Sequence, residues 1–147
     1  MLAQRITHIA PITPGSTPLE LAEVPIPEPG TGEILLQVTA CGVCHTELDE
    51  IEGRTSPSQL PRIPGHQVVG RLVQAGPGAA LYQPGARLGA AWIYSACGKC
   101  PACLGGNENL CAEFKATGRD TDGGYAQFMV IPQDFAIPIP SPIPDAA

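Results

Sequence analysis

Six cysteines fall into two groups that differ in spacing and in company. In Cys97-Gly-Lys-Cys100-Pro-Ala-Cys103-Leu-Gly-Gly-Asn-Glu-Asn-Leu-Cys111, four sulfurs stand at gaps of two, two and seven residues. Two-residue gaps let neighbouring thiolates converge on one ion, and zinc takes four of them in a tetrahedron with Zn–S near ~2.3 Å. Disulfides over such short gaps are strained, and four cysteines this close allow three competing pairings. An iron–sulfur cluster is the rival, because ferredoxin runs also space cysteines by two. The proline that usually follows the last cysteine of such a run is missing, as is a second cluster set. The spacing therefore favours zinc. An ion held by four thiolates has no open position, so its work is structural: it pins a lobe that has few apolar residues.

The upstream group has another character. Cys41-Gly-Val-Cys44-His45-Thr46-Glu47 is followed about twenty residues on by Pro64-Gly65-His66-Gln67. An isolated Cys or His reads as readily as a core residue. Here both Cys44 and His66 stand at the ends of apolar runs and beside glycines, where loops present ligands. A hydroxyl, an imidazole and a carboxylate crowd around Cys44, and such groups orient and tune metal ligands. Cys41 reads as a small residue at a strand end, and His8 as a surface residue of an N-terminal strand.

The elements that must position these groups are short. Apolar runs at Ile34–Thr39, Val68–Val73, Arg87–Ile93 and Tyr125–Ile131 each follow a Gly/Pro-rich turn, as strands do. The stretch QVVGRLV shows no clean split into wet and dry faces, which suits a well-covered sheet. A single helix is predicted near a motif, His45–Glu52, with Thr46 as its cap and Leu48 and Ile51 on one side. Gly76-Pro-Gly78 is not a dinucleotide fingerprint: Pro77 removes a donor and Pro84-Gly85 stops any helix, so it reads as a strand-to-strand turn. The chain of 147 residues is one ordinary domain of an all-β, barrel-like kind. A net charge of −6 with only eight Lys and Arg argues against nucleic acid or an anionic membrane as partner. No apolar run approaches the ~18 residues of a membrane span, and the N-terminus lacks a signal peptide's core. A cytoplasmic, reducing setting is the expectation, in which clustered cysteines more often bind metal than cross-link.

The segments CGVCHTEL, PGHQVVGRLVQAGPG, GARLGAAW, CGKCPACLGGNENLC and DGGYAQF, in this order, resemble the N-terminal, GroES-like catalytic domain of zinc-dependent alcohol dehydrogenases of the medium-chain dehydrogenase/reductase superfamily. The resemblance runs from about residue 5 to the end. It implies a mainly β fold, a GroES-like partly open barrel with short helices and a four-cysteine zinc lobe. It implies that Cys44 and His66 hold a catalytic zinc, with a third cysteine that this chain does not contain. Thr46 matches the hydroxyl that bridges the substrate oxygen to a proton relay, and His45 the group that approaches the cofactor pyrophosphate. Glu47 matches the acid that orients the ligating histidine. Trp92 matches the bulky residue that narrows the alcohol pocket, and Cys97, Cys100, Cys103 and Cys111 match the structural zinc lobe. The reaction implied is oxidation of an alcohol to an aldehyde or ketone by hydride transfer to NAD(P).

Two positions depart from the family pattern. Gln67 stands where a glutamate is usual, which should alter the zinc field without abolishing binding. Asp49 stands where many members carry a relay histidine, and its low intrinsic pKa makes it a poor proton carrier near neutrality. Residues 1–147 are expected to be the catalytic domain alone. The Rossmann NAD(P)-binding domain is expected to lie outside this chain, to build a homo-oligomer in the full-length protein, and to leave the chain by itself inactive, with a firm structural zinc and a weak catalytic one. The contrasting expectation is a standalone zinc-binding structural or partner-docking module without dehydrogenase activity.

Overall fold

The computed structural model describes residues 1–146. Nine strands carry the fold: β1 (Leu2–Arg5), β2 (Glu20–Glu23), β3 (Glu33–Cys41), β4 (Val68–Ala75), β5 (Arg87–Ala90), β6 (Ile93–Ser95), β7 (Lys115–Ala116), β8 (Phe128–Pro132) and β9 (Ala136–Pro138). Two short α-helices, α1 (His45–Glu52) and α2 (Pro101–Leu104), and two 3-10 turns (Glu108–Leu110 and Gln133–Phe135) complete it. Five strands form one antiparallel sheet in the order β8-β3-β4-β5-β9, curled into a half-barrel. The pairs β1-β2 and β6-β7 make two small sheets. Among the described residues no helix is long and apolar enough to cross a membrane. The partly open barrel with short helices is the fold that the resemblance implied.

Strand β3, the longest, is the spine of the sheet and pairs along both edges, with β4 and with β8. Ile34, Leu35 and Leu36 are all buried, which a regular two-residue alternation forbids. A bulge between Leu35 and Leu36 and another between Val38 and Ala40 reset the alternation and tighten the curl. The core is the inner face of the half-barrel: Ile34, Leu36, Leu72, Leu88, Met129 and Ile131, all close to fully buried. Burying side chains of this size contributes about 1.5–3 kcal/mol each.

Several expectations need correction. Strand β4 does alternate, with Val68, Gly70 and Leu72 facing in and Arg71 and Val73 facing out; exposed Val73 masks the pattern in the sequence. The run Arg87–Ile93 is two strands, not one. β5 belongs to the main sheet, and β6 leaves it to pair with β7, the break falling at Ala91-Trp92. The run Tyr125–Ile131 becomes a strand only at Phe128, because Gly124 and Tyr125 spend their N–H groups on the carbonyls of Gly65 and Pro64. His8 is exposed but lies beyond the end of β1. Gly76-Pro-Gly78 forms the expected turn between β4 and β5, closed by Ala79 N–H donating to Gly76 O.

Helix α1 has the predicted span but not the predicted face. Its cap is Cys44, whose sulfur accepts from Thr46 N–H, while Glu47 reaches back to Cys44 N–H in a capping box. Its buried side is Glu47, Glu50 and Ile51, and Leu48 is left exposed. Gly53 ends the helix at φ +83°, a left-handed conformation that glycine adopts without strain.

Candidate metal centre

The end of β3 and the start of β4 lie side by side, with Cys41 opposite Val68. This register brings the cap of α1 against the loop that precedes β4. Gly65 supplies the close approach: at φ +99° it turns the chain, and a side chain there would sit 2.9 Å from Cys41 Sγ. His66 follows, buried, and its Nε2 stands 3.4 Å from Cys44 Sγ. Glu47 lies behind both. Its Oε2 accepts from Cys44 N–H at 2.7 Å, and its Oε1 is 2.9 Å from His66 Nδ1. That second contact is short but bent away from hydrogen-bond alignment, and neither Oε1 nor Nδ1 has another partner. Burial pushes the His66 pKa down, against the opposing pull of Glu47. The shift favours the neutral imidazole, the form that donates a lone pair to a metal.

This donor set fits zinc. A thiolate and an imidazole on one tetrahedral zinc should lie ~3.6 Å apart, given Zn–S near ~2.3 Å and Zn–N near ~2.0–2.1 Å. The ligand atoms of Cys44, Glu47 and His66 all fall within 4.8 Å of one another. Cys41 stands outside that group. Its thiol is pushed up to about 11, chiefly by burial, so it stays protonated, with Gly42 O as its acceptor.

The other residues named from the sequence surround this pair unevenly. Thr46 is half-buried next to Cys44, and Gln67 is exposed next to His66. Trp92 meets His66 edge-on, with ring centroids 5.0 Å apart. His66, Gln67, Ala91, Trp92, Ile137 and Ile139 share one largely apolar cleft. His45 is exposed at the start of α1, 3.9 Å from Asp49. Asp49 itself is engaged by the Arg54 guanidinium. A separate cavity of about 300 Å³ opens between Val24, Tyr94 and Phe128, and no cysteine or histidine lines it.

The four cysteines of the lobe also converge, with ligand atoms within 4.8 Å of one another. Cys100 Sγ is 3.5 Å from Cys103 Sγ, and Cys97 Sγ is 3.9 Å from it. Sulfurs on one tetrahedral zinc stand ~3.8 Å apart by the same bond lengths. Gly98 at φ +70° and Gly106 at φ +72° turn the chain between them. Local fields divide the cluster: the amides of Lys99 and Cys100 pull Cys97 down to about 6, while burial pushes Cys103 up to about 12. A divalent cation at the centre is the charge that lets all four ionise together.

Three residues absent from the sequence argument also matter. Glu50 is fully buried, with neither carboxylate oxygen hydrogen-bonded; burial first, then Glu47, raise its pKa to about 8. Arg119 and Asp120 form a bidentate pair beside Trp92. Their only signal in the sequence is a charge pair inside the glycine-rich run TGRDTDGG.

A family model described as the alcohol dehydrogenase GroES-like domain matches residues 30–141. An alcohol dehydrogenase of Geobacillus stearothermophilus is 43% identical over 84% of this chain and 37% of its own length. Another, of a Moraxella species, is 42% identical over 85% and 37%. The solved structure of a cobalt- and zinc-bound thermostable alcohol dehydrogenase from Pyrobaculum aerophilum superposes with a TM-score of 0.86 at 29% identity, covering 96% of this chain and 42% of that one. The chain spans about two fifths of the length of these relatives. By the match of the family model over most of its length, the chain belongs to the alcohol dehydrogenase GroES-like domain family.

Proposed function

We propose that this chain is the metal-holding and substrate-binding part of a zinc-dependent alcohol dehydrogenase, which oxidises an alcohol to an aldehyde or ketone and passes the hydride to NAD(P). The observation that carries the reading is a thiol and an imidazole nitrogen 3.4 Å apart, backed by one buried carboxylate, with the imidazole lining an apolar cleft. Cys44 and His66 are the catalytic ligands. Bound zinc supplies a Lewis acid that lets an alcohol hydroxyl lose its proton near neutral pH.

The residues around the pair have separate tasks. The Glu47 carboxylate, 2.9 Å from His66 Nδ1, favours the proton on that nitrogen, which leaves the Nε2 lone pair free for the metal. Thr46, whose N–H already donates to Cys44 Sγ, offers its hydroxyl to the substrate's proton. Asp49 is the next acceptor along, a role in which it must first loosen its pair with Arg54. His45, exposed at the head of α1, meets the cofactor's pyrophosphate. Trp92 walls the cleft and favours slender alcohols. Gln67 presents a neutral amide where a carboxylate would add negative field. Cys97, Cys100, Cys103 and Cys111 hold a zinc with no chemical step assigned to it.

NAD(P) is assigned to a separate nucleotide-binding domain, since the described residues contain no βαβ unit. The test compares Cys44→Ser and His66→Gln in the full-length protein. Each variant should keep its fold, lose one metal equivalent and lose alcohol-dependent reduction of NAD(P). Unchanged turnover in either variant would remove the pair from the reaction.

A further inference from the structure

Trp92 and His66 meet in a T-shaped contact, and the indole has a second neighbour in Arg119. The Arg119 guanidinium carbon lies 5.4 Å from the Trp92 ring centroid and 6.0 Å from that of Phe114. The two rings are themselves 6.3 Å apart and tilted by 42°. Arg119 is not free to swing away. Its Nη2 donates to Asp120 Oδ2 at 2.7 Å, and its Nε lies 3.2 Å from both carboxylate oxygens. Asp120 is fixed in turn: Oδ2 accepts from Ala116 N–H at 2.8 Å, and its own N–H donates to Ala116 O.

The same turn holds the backbone of Trp92. Thr117 N–H donates to Trp92 O at 2.9 Å, and Ile93 pairs with Ala116 across β6 and β7. These two strands run directly into the cysteine lobe, with Cys97 just beyond β6 and Phe114 between Cys111 and β7. One arginine thus joins the base of the lobe, the indole and, through the indole, the imidazole of His66.

We propose that Arg119 is a positioning residue for the metal centre: clamped by Asp120, it fixes the indole of Trp92, and Trp92 fixes the ring plane of His66. The inference rests on Cys44 and His66 being metal ligands. A ligating imidazole must be held both about its hydrogen-bonded nitrogen and against rotation of its ring. Glu47 reaches only Nδ1, and its contact is bent, so the ring needs a second constraint. Trp92 is the aromatic ring packed against it. Arginine suits the task because a planar guanidinium stacks on the indole while its fork meets a carboxylate in plane. A lysine keeps the charge but neither the plane nor the fork.

Trp92 is the chain's single tryptophan, so its emission reports the clamp directly. The experiment measures Trp92 emission and anisotropy, then titrates the protein, its lobe zinc in place, with Co2+ and follows quenching and thiolate-to-metal absorption. Arg119→Met should lower the anisotropy, shift the emission and weaken Co2+ binding about three- to tenfold. Asp120→Asn, which keeps the arginine but releases it, should move both readings the same way by less, and Arg119→Lys should fall between. In a Trp92→Leu background, Arg119→Met should cost no further affinity, because the path through the indole is already gone. Equal losses in both backgrounds, or unchanged emission and affinity in Arg119→Met, would overturn the proposal. Should Arg119→Met fail to fold, Asp120→Asn and Arg119→Lys decide it by the same criteria. Cys44→Ser is the control for the underlying reading: if it leaves Co2+ binding unchanged, the metal-ligand assignment fails, and the emission data alone still decide whether Arg119 holds Trp92.

Discussion

In the lobe, four sulfurs come from one continuous stretch, whereas Cys44 and His66 are separated by 22 residues and stand near different strand ends. The lobe has almost no core: within Cys97–Cys111 only Cys103 and Cys111 are buried, and Leu104 and Leu110 are 76% and 71% exposed. Cys44 and His66, in contrast, hang from the two longest strands of the sheet and share a buried carboxylate. The contrast separates two relations between metal and fold. Where the chain has too little apolar surface to order itself, the ion must supply the folding free energy. Where the core already places the donors, the ion adds chemistry and little stability.

The largest effect should come from breaking the lobe. Cys103→Ser, or removal of its metal by a strong chelator, should free Lys99–Leu110 to proteases and lower Tm by roughly 10 °C or more, given that structural zinc contributes on the order of 10 kcal/mol in small metal-held folds. Cys44→Ser should lower Tm by no more than a few degrees. Thermal melts and limited proteolysis of the two variants, side by side, measure the contrast directly. Equal losses of stability would show that both ions hold the fold.

That difference also governs what could be read from the residues. The convergence of the lobe's four sulfurs was legible, because they are local and spacing alone brings them together. The pairing of Cys44 with His66 came from family resemblance and not from spacing, since no local rule joins residues that far apart. The buried face of α1 was misjudged for a physical reason: Leu48 is the apolar choice, but the capping box and the imidazole both require Glu47 inside, and helical geometry carries Glu50 in with it. The split of Arg87–Ile93 was hidden because both pieces are apolar, and only their partners differ. For Arg119 the charge pair in TGRDTDGG was the only trace, and it did not reveal a role, as its partners Trp92 and Phe114 gather around it only through the β6-β7 pairing.

Next in size is Glu47→Gln. The amide cannot draw the Nδ1 proton as a carboxylate does, so metal affinity at Cys44 and His66 should fall about 10- to 100-fold, the range typical for loss of such a partner. The lobe's metal should stay, and a titration with a competing chelator resolves the two sites. Loss of both metals together would erase the independence of the two regions.

Glu50→Gln probes the same helix through pH. In the folded protein Glu50 keeps its proton up to about pH 8, whereas its ordinary value is 4.5. Between those limits the folded state binds more protons than the unfolded one, so stability falls as pH rises and levels off above 8. The slope is at most about 1.4 kcal/mol per pH unit, the limit for one proton, and the charges of Arg119 and Arg62, which pull the folded value down, set where the window ends. Glu50→Gln should flatten this fall and raise stability at pH 8–9, as read from denaturant midpoints. A fall of the same slope in the variant would assign it to other groups.

Gln67→Glu should do least, and that makes it the finest gauge of the centre's openness. Gln67 is exposed beside a buried ligand, so a new carboxylate there acts on the metal through water-rich surroundings. Two unit charges several ångströms apart at high dielectric interact by less than about 1 kcal/mol, and a divalent ion at most doubles that. Metal affinity at Cys44 and His66 should therefore rise only about two- to fivefold at low salt. Added salt, whose Debye length at 1 M is about 3 Å, should erase the gain. Tm should not move measurably, because no buried contact changes. A gain that survives high salt would mean that the new carboxylate reaches the ion itself.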